Sequence, residues 1–303
     1  MIAWTDGRII PAEHLAIPVG DAGFVLGATV TEQLRTFRGR VFLAGEHARR
    51  MANSLAVAGI DLPMPLSEVF EAASEVAARN HGALEAADDL GLCVVATPGD
   101  LPAQHGGVAG RPRVLVHSFP LAFRLWADAY AAGIPLVGVS VRQVPDDCWP
   151  IELKCRSRMH YHLADREASA RIPGGRALLC HAHGRVSETS TANVVAAVGG
   201  RLVTPPRSDA LPGVSLGHVR RLAFEQGIPW EDRSLSLDEC GEADEVLLTS
   251  TPSCLLPATS LDGRPIGGGR PGPMFGRLLE AWSRGVGLDI RRQAESTVGR
   301  RGA

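Results

Sequence analysis

No stretch of this 303-residue chain approaches the ~20 consecutive apolar residues of a membrane-spanning helix, and the first residues reach Asp6 and Gly7 before any signal-like apolar run. A cytoplasmic protein without a membrane partner is expected. Neither basic nor acidic residues predominate: 31 Lys and Arg stand against 33 Asp and Glu, and no long block of one sign occurs. That argues against nucleic acid and for a small soluble ligand. The six cysteines, Cys93, Cys148, Cys155, Cys180, Cys240 and Cys254, form no C-x-x-C pair. Reduced, structural thiols are therefore expected, with neither a disulfide framework nor a thiolate metal site. His160-x-His162 and His181-x-His183 have ligand-like spacing but no third partner, so no metal is expected. Internal repeats, heptads and a G-x-S-x-G nucleophile elbow are also missing.

What the chain does carry is a succession of short strands and helices in an α+β order. In the first third, strand patterns fall at Arg8–Ile10, Val30–Phe37 and Val41–Phe42, followed by Ala-rich helical spacing over Glu46–Ala58 and Leu66–Asn80. Two further strands, Leu92–Ala96 and Val114–His117, flank a Gly/Pro-rich loop. The apolar pattern lapses after Ser118 and resumes as a strand over Leu136–Val144. These signals predict a small N-terminal α+β domain over residues 1–118, a linker over 119–133, and a larger domain over 134–303. Within the latter, strands are expected at Ala177–His181, Val194–Val198, Arg201–Val203 and Glu245–Thr249, with helices at Met159–Arg171, Ser215–Gln226 and Gly272–Ser283. The polar, basic end from Arg291 to Ala303 reads as a frayed tail.

Three segments concentrate reactive or polar groups. In Glu152-Leu153-Lys154-Cys155-Arg156-Ser157-Arg158-Met159 a lysine precedes a helix, although an isolated lysine is ordinarily a surface residue. Gly184-Arg185-Val186-Ser187-Glu188-Thr189-Ser190-Thr191-Ala192-Asn193-Val194 places a carboxylate, hydroxyls and an amide between a hairpin-like turn and a buried strand. Polar groups there need partners, or else the loop caps itself through its own side chains. Ala210-Leu211-Pro212-Gly213-Val214-Ser215-Leu216 is a turn leading into a helix, where free N–H groups can take an anion or simply be capped.

In this order and spacing, the three segments resemble the class-IV, fold type IV aminotransferases, a family that includes branched-chain and D-amino-acid aminotransferases and aminodeoxychorismate lyases. Asp21-Ala22-Gly23-Phe24-Val25-Leu26-Gly27-Ala28-Thr29-Val30-Thr31-Glu32 is similar to the family's D-x-G-(x)3-G-D-G-V-F-E stretch, and His47-Ala48-Arg49-Arg50-Met51 to its H-x-x-R-L helix. Gly213-Val214-Ser215 is similar to the phosphate loop G-I-T, and Thr249-Ser250-Thr251 with Pro257 to T-G-T and its following proline. The resemblance implies pyridoxal 5'-phosphate held on Lys154 as a Schiff base, with Glu188 facing the pyridine nitrogen and Asn193 bracing the loop that carries Glu188. It assigns the cofactor phosphate to Arg50, to the N–H groups of Val214 and Ser215, and to Thr251.

The departures from the pattern fall on the substrate side. Gly27-Ala28-Thr29 stands for G-D-G, and Thr31 for an aromatic, which makes one wall of the pocket smaller and more polar. The arginines that bind substrate carboxylates in branched-chain and D-amino-acid enzymes are missing near Cys93 and Pro98, and Pro252 has no N–H to offer. Met159 falls where branched-chain enzymes aim a tyrosine at the cofactor. Thr31, Arg158, Tyr161, Pro252 and Ser253 are the candidates for substrate contact. The implied reaction is transamination between an amino donor and an oxo-acid acceptor, run by a homodimer. A β-eliminating lyase is the alternative, and a non-catalytic binding protein on the same scaffold a more distant one.

Overall fold

The computed structural model describes residues 1–85 and 88–301. They divide into two compact units, Met1–Leu121 with Leu153–Ser157, and Ala122–Glu152 with Arg158 onward. The Lys154 segment thus belongs to the first unit, although the sequence reading places it inside the second domain.

The first unit is an antiparallel sheet of six strands: β1 (Ile2–Thr5), β2 (Arg8–Pro11), β3 (Val30–Phe37), β4 (Arg40–Val41), β5 (Leu90–Thr97) and β6 (Arg113–Pro120), in the order β2-β1-β6-β5-β3-β4. The short helix α1 (Ala22–Val25) precedes β3, and the longer helices α2 (Ala44–Ala58) and α3 (Leu66–His81) follow β4. Strand alternation sorts the side chains. Leu92, Val94, Ala96, Val114 and Val116 pack with Met51, Leu55, Val69 and Val76 of the helices, and Leu153 joins this core from the side. The opposite face holds a smaller cluster of Cys93, Val95 and Leu115 with Leu15 and Phe119.

The second unit opens with α4 (Ala129–Ala132), then β7 (Ile134–Arg142), α5 (Met159–Arg171), β8 (Arg176–Cys180), β9 (Val186–Thr189), β10 (Asn193–Val198) and β11 (Arg201–Thr204). It continues through α6 (Val214–Glu225), β12 (Trp230–Asp232), α7 (Leu237–Glu242), β13 (Glu245–Ser250), β14 (Cys254–Leu261), β15 (Arg264–Pro265), α8 (Pro273–Val286) and α9 (Ile290–Arg301). The sheet runs β12-β11-β10-β13-β14-β7-β8-β9, and β9 pairs back onto β10, closing a ring. The pair that closes it is Glu188 opposite Asn193. Helix α5 crosses between the parallel strands β7 and β8, burying Ala164 and Ala168 on Val137, Val139, Ala177 and Leu179.

Two elements differ from expectation. The end of the chain is not a frayed tail: Ile290–Arg301 is helical, with Ile290, Gln293, Ala294 and Thr297 buried at i, i+3, i+4 and i+7, and it packs near Phe123–Leu125. Two of those four side chains are polar, which hides the stripe from a hydrophobicity pattern; Gly302 and Ala303 lie outside the described residues. Strand β14 lies between β13 and β7 although it contains Pro257, a residue that argues against an interior strand. Its pairing with β7 begins only at Ala258, past the residue that has no N–H to give.

Candidate active site

In the first unit, the peptide of Lys154 is fixed from two directions. Its N–H donates to Ser54 Oγ of α2 at 3.1 Å, and its carbonyl accepts from the Thr31 N–H of β3 at 2.9 Å. Two residues on, Arg156 N–H donates to Thr29 Oγ1 at 2.8 Å, and the Ser157 hydroxyl donates to the Gly27 carbonyl at 2.8 Å. A segment without regular secondary structure is thereby held like an element of the sheet. Lys154 is also the only lysine of the chain, every other one of the 31 Lys and Arg residues being arginine. A count by residue type discloses this, where motif matching passes over it.

Arg50, on α2, is oriented by a buried carboxylate that the sequence reading left without a role. Its Nε and Nη2 donate to the two oxygens of Glu32, each at 2.7 Å, and His47 Nδ1 lies 2.7 Å from Glu32 Oε2. Burial alone would raise the Glu32 carboxyl, but Arg50 and His47 hold it down at about 2. Burial likewise pulls the His47 imidazole below its ordinary value, against the attraction of Glu32. The three residues stand at motif positions, Glu32 ending one stretch and His47 opening the next, so their pairing could have been sought from the sequence. Thr31 is buried and gives its hydroxyl proton to the Val94 carbonyl of β5 at 3.1 Å.

In the second unit, Glu188 lies on strand β9 rather than on a loop, and donors converge on it. Tyr161 Oη donates to Oε1 at 2.6 Å and Asn193 Nδ2 to Oε2 at 3.0 Å. Gln143 Nε2 donates to Tyr161 Oη at 3.0 Å and to Ser187 Oγ at 3.1 Å, and approaches Glu188 Oε1 at 3.5 Å. Burial and the neighbouring Glu188 charge push the Tyr161 phenol well above its usual value, so it stays a donor. Arg158 stacks over the Tyr161 ring, 4.4 Å from its centroid, and donates to the Ser190 carbonyl. Tyr161 and Arg158, candidates for substrate contact, are thus engaged around Glu188; Met159 is exposed.

Asn193 reaches in a second direction as well, donating to the Leu211 carbonyl at 2.8 Å in the turn before α6. Gly213 follows in that turn, and a Cβ there would meet Asn193 Oδ1 at 1.9 Å, so only glycine fits. Helix α6 begins at Val214 and Ser215 with no side chain capping its first N–H groups. Across the ladder from Asn193 stands Thr249, whose buried hydroxyl has no partner among the described residues. The β13–β14 hairpin then turns through Thr251, Pro252 and Ser253 to Cys254, which holds a left-handed conformation at φ 61°. Ser253 is buried, its hydroxyl 2.8 Å from Ser250 Oγ and its carbonyl accepting from Tyr130 Oη at 2.7 Å.

Comparison with known proteins places the chain in one family. Residues 29–261 match the model of amino-transferase class IV. A D-alanine aminotransferase of Bacillus licheniformis is 30% identical over 274 residues, covering 89% of this chain and 91% of its own. The Escherichia coli branched-chain amino acid aminotransferase structure superimposes with a TM-score of 0.85 at 26% identity, covering 93% of each chain. A T.th. branched-chain amino acid aminotransferase with pyridoxamine 5'-phosphate gives 0.85 at 26% identity, covering 94% of this chain and 93% of that one.

Proposed function

The chain belongs to the class IV aminotransferases, and from that premise we propose that it moves an amino group between a small amino acid or amine and an oxo acid, using pyridoxal 5'-phosphate attached to Lys154. The observation that carries this reading is the single lysine on a pinned segment, because a cofactor joined through an amine has one side chain of this protein to join. When bound, the cofactor supplies an electron sink for the charge left when the substrate Cα loses its proton.

The protein's own residues do the rest. Lys154 would hold the cofactor and, once freed by the incoming amine, would move the substrate's Cα proton, acting as general base and then as acid. Glu188 would face the ring nitrogen and keep it protonated, with Tyr161 and Asn193 donating to its two oxygens and fixing its direction. Val214 and Ser215, at the start of α6, would offer backbone N–H groups to the phosphate, in the unit that also holds the Gly213 turn and the Thr249 hydroxyl, which has no partner among the described residues. Arg50, oriented by Glu32, would add charge-assisted donors, and Thr251 would add a hydroxyl. The relatives compared above are aminotransferases, which does not favour the lyase alternative.

The homodimer is part of the same proposal. Val19, Phe24 and Leu26 of the first unit expose apolar side chains that a second copy would cover. Among the described residues no helix is long and apolar enough to cross a membrane.

The test is an absorbance spectrum of the protein with pyridoxal 5'-phosphate, followed by borohydride reduction, peptide mapping and single-turnover additions of L- and D-amino acids. The reading expects a visible band, a reduced adduct on Lys154 and bleaching by one enantiomeric series. A colourless protein, or an adduct confined to the Met1 amine, would overturn it.

A further inference from the structure

Arg156 stands two residues beyond Lys154 on the pinned segment, and its guanidinium has an unusual neighbour. Nη2 lies 3.1 Å from Cys93 Sγ of β5, its one side-chain hydrogen bond, and no carboxylate pairs with it among the described residues. A thiol is a weak acceptor, and burial raises the Cys93 pKa, although Arg156 opposes that shift, so the partner is neutral. Cys93 belongs to the cluster on the sheet face that α2 and α3 do not cover, so the contact brings a permanently charged, planar fork to that face. There Cys93 packs with Val95, Leu115 and half-buried Phe119, and His117 stands opposite Cys93 in the ladder. Burial, with the charge of Arg156 as the second cause, keeps His117 below its ordinary pKa.

Resting on the proposed transamination, we propose that Arg156 is the anchor for the substrate's carboxylate, taking its two oxygens bidentately while the carbon chain lies toward the apolar flank of Phe119. An amino-acid donor and the oxo acid each carry a carboxylate, and the guanidinium fork matches its geometry. The bond from Arg156 N–H to Thr29 Oγ1 and the Thr31–Lys154 bond tie anchor and lysine to the same stretch, fixing one against the other.

The experiment titrates the protein loaded with pyridoxal 5'-phosphate, by calorimetry, with the unreactive acids 4-methylvalerate and glutarate and with the neutral 4-methylvaleramide. Arg156→Gln should weaken binding of the acids tenfold or more, Arg156→Lys less, and the amide should bind alike to all three proteins. The cofactor's visible band should be unchanged in Arg156→Gln. Equal acid affinity in wild type and Arg156→Gln, or failure of the wild type to bind either acid, overturns the proposal. So does loss of the cofactor band with acid affinity kept, which would assign the guanidinium to the phosphate. Should the wild type take up no cofactor, the transamination reading fails by itself, and the same titration without cofactor still decides whether Arg156 binds carboxylates.

Discussion

Tyr161 and Glu188 illustrate how one hydrogen bond can be separated from the structure around it. Tyr161→Phe removes the 2.6 Å donor but keeps the ring beneath Arg158, so the fold should persist. Turnover should fall about tenfold, near the ~1–1.5 kcal/mol of one hydrogen bond, with cofactor retained, as stopped-flow half-reactions would show. Glu188→Gln should also keep the cofactor and lose about 10²-fold or more, the scale of removing one preorganised electrostatic partner. Near-normal turnover of that variant would reassign the role of Glu188 on β9. Arg50→Ala should do the reverse, releasing cofactor on dialysis before the rate of the loaded enzyme changes, and Glu32→Gln should follow it more weakly, because Glu32 only aims the guanidinium. At this scale the motifs that hold Lys154, Glu188, Asn193 and Arg50 could be singled out, each by its own local chemistry, and the contact of Asn193 with Glu188 is the one expected pairing found among the described residues. Gln143 and the Tyr161 contact could not be singled out. They reach Glu188 from 45 and 27 residues away, through strand and helix positions that only the closed sheet brings together.

Most helices and interior strands announce themselves by periodicity, and those that do not fail for identifiable reasons. Strand β14 is interrupted by Pro257, and β9 looks like a loop because Ser187, Glu188 and Thr189 are polar yet buried. Helix α9 buries Gln293 and Thr297 beside Ile290 and Ala294, so its inner face is half polar. The helix yields a direct test of whether the chain end is structural. Ala294 is fully buried, and Ala294→Asp would put a charge where no water reaches, at a cost of several kcal/mol. Ser296→Asp, on the exposed side, should stay within about 0.5 kcal/mol of wild type. Urea melts of the two variants compare them directly. Equal midpoints would return the segment to a frayed tail.

Across the whole molecule, the division into units was only partly readable, because Leu153–Ser157 returns to the first unit after the chain has entered the second, and no compositional break marks that return. Stability against acid is also a property of the assembled chain, and its direction follows from where the buried imidazoles sit. His218 on α6 stands edge-on to Trp282 of α8, ring centroids 4.6 Å apart, and burial with the charge of Arg221 lowers it to about 4. His47 is lowered too, by burial first. In the unfolded chain both histidines bind protons near pH 6.5. Between 6.5 and about 4 the unfolded state therefore holds more protons than the folded one, and stability must fall as pH drops through that window. Glu32, held at about 2 against an ordinary 4.5, contributes stability that is complete above 4.5 and is lost as pH falls from there toward 2. Melting temperature should thus decline continuously from about pH 6.5 downward, in two overlapping stages. His218→Phe keeps an aromatic edge against Trp282 without a titrating group, so it should flatten the upper stage by on the order of 2 kcal/mol and leave the lower one to Glu32. Thermal melts of both proteins from about pH 7.5 to about 3 decide it, and a His218→Phe profile parallel to wild type would show that His218 ionises without opposing the fold.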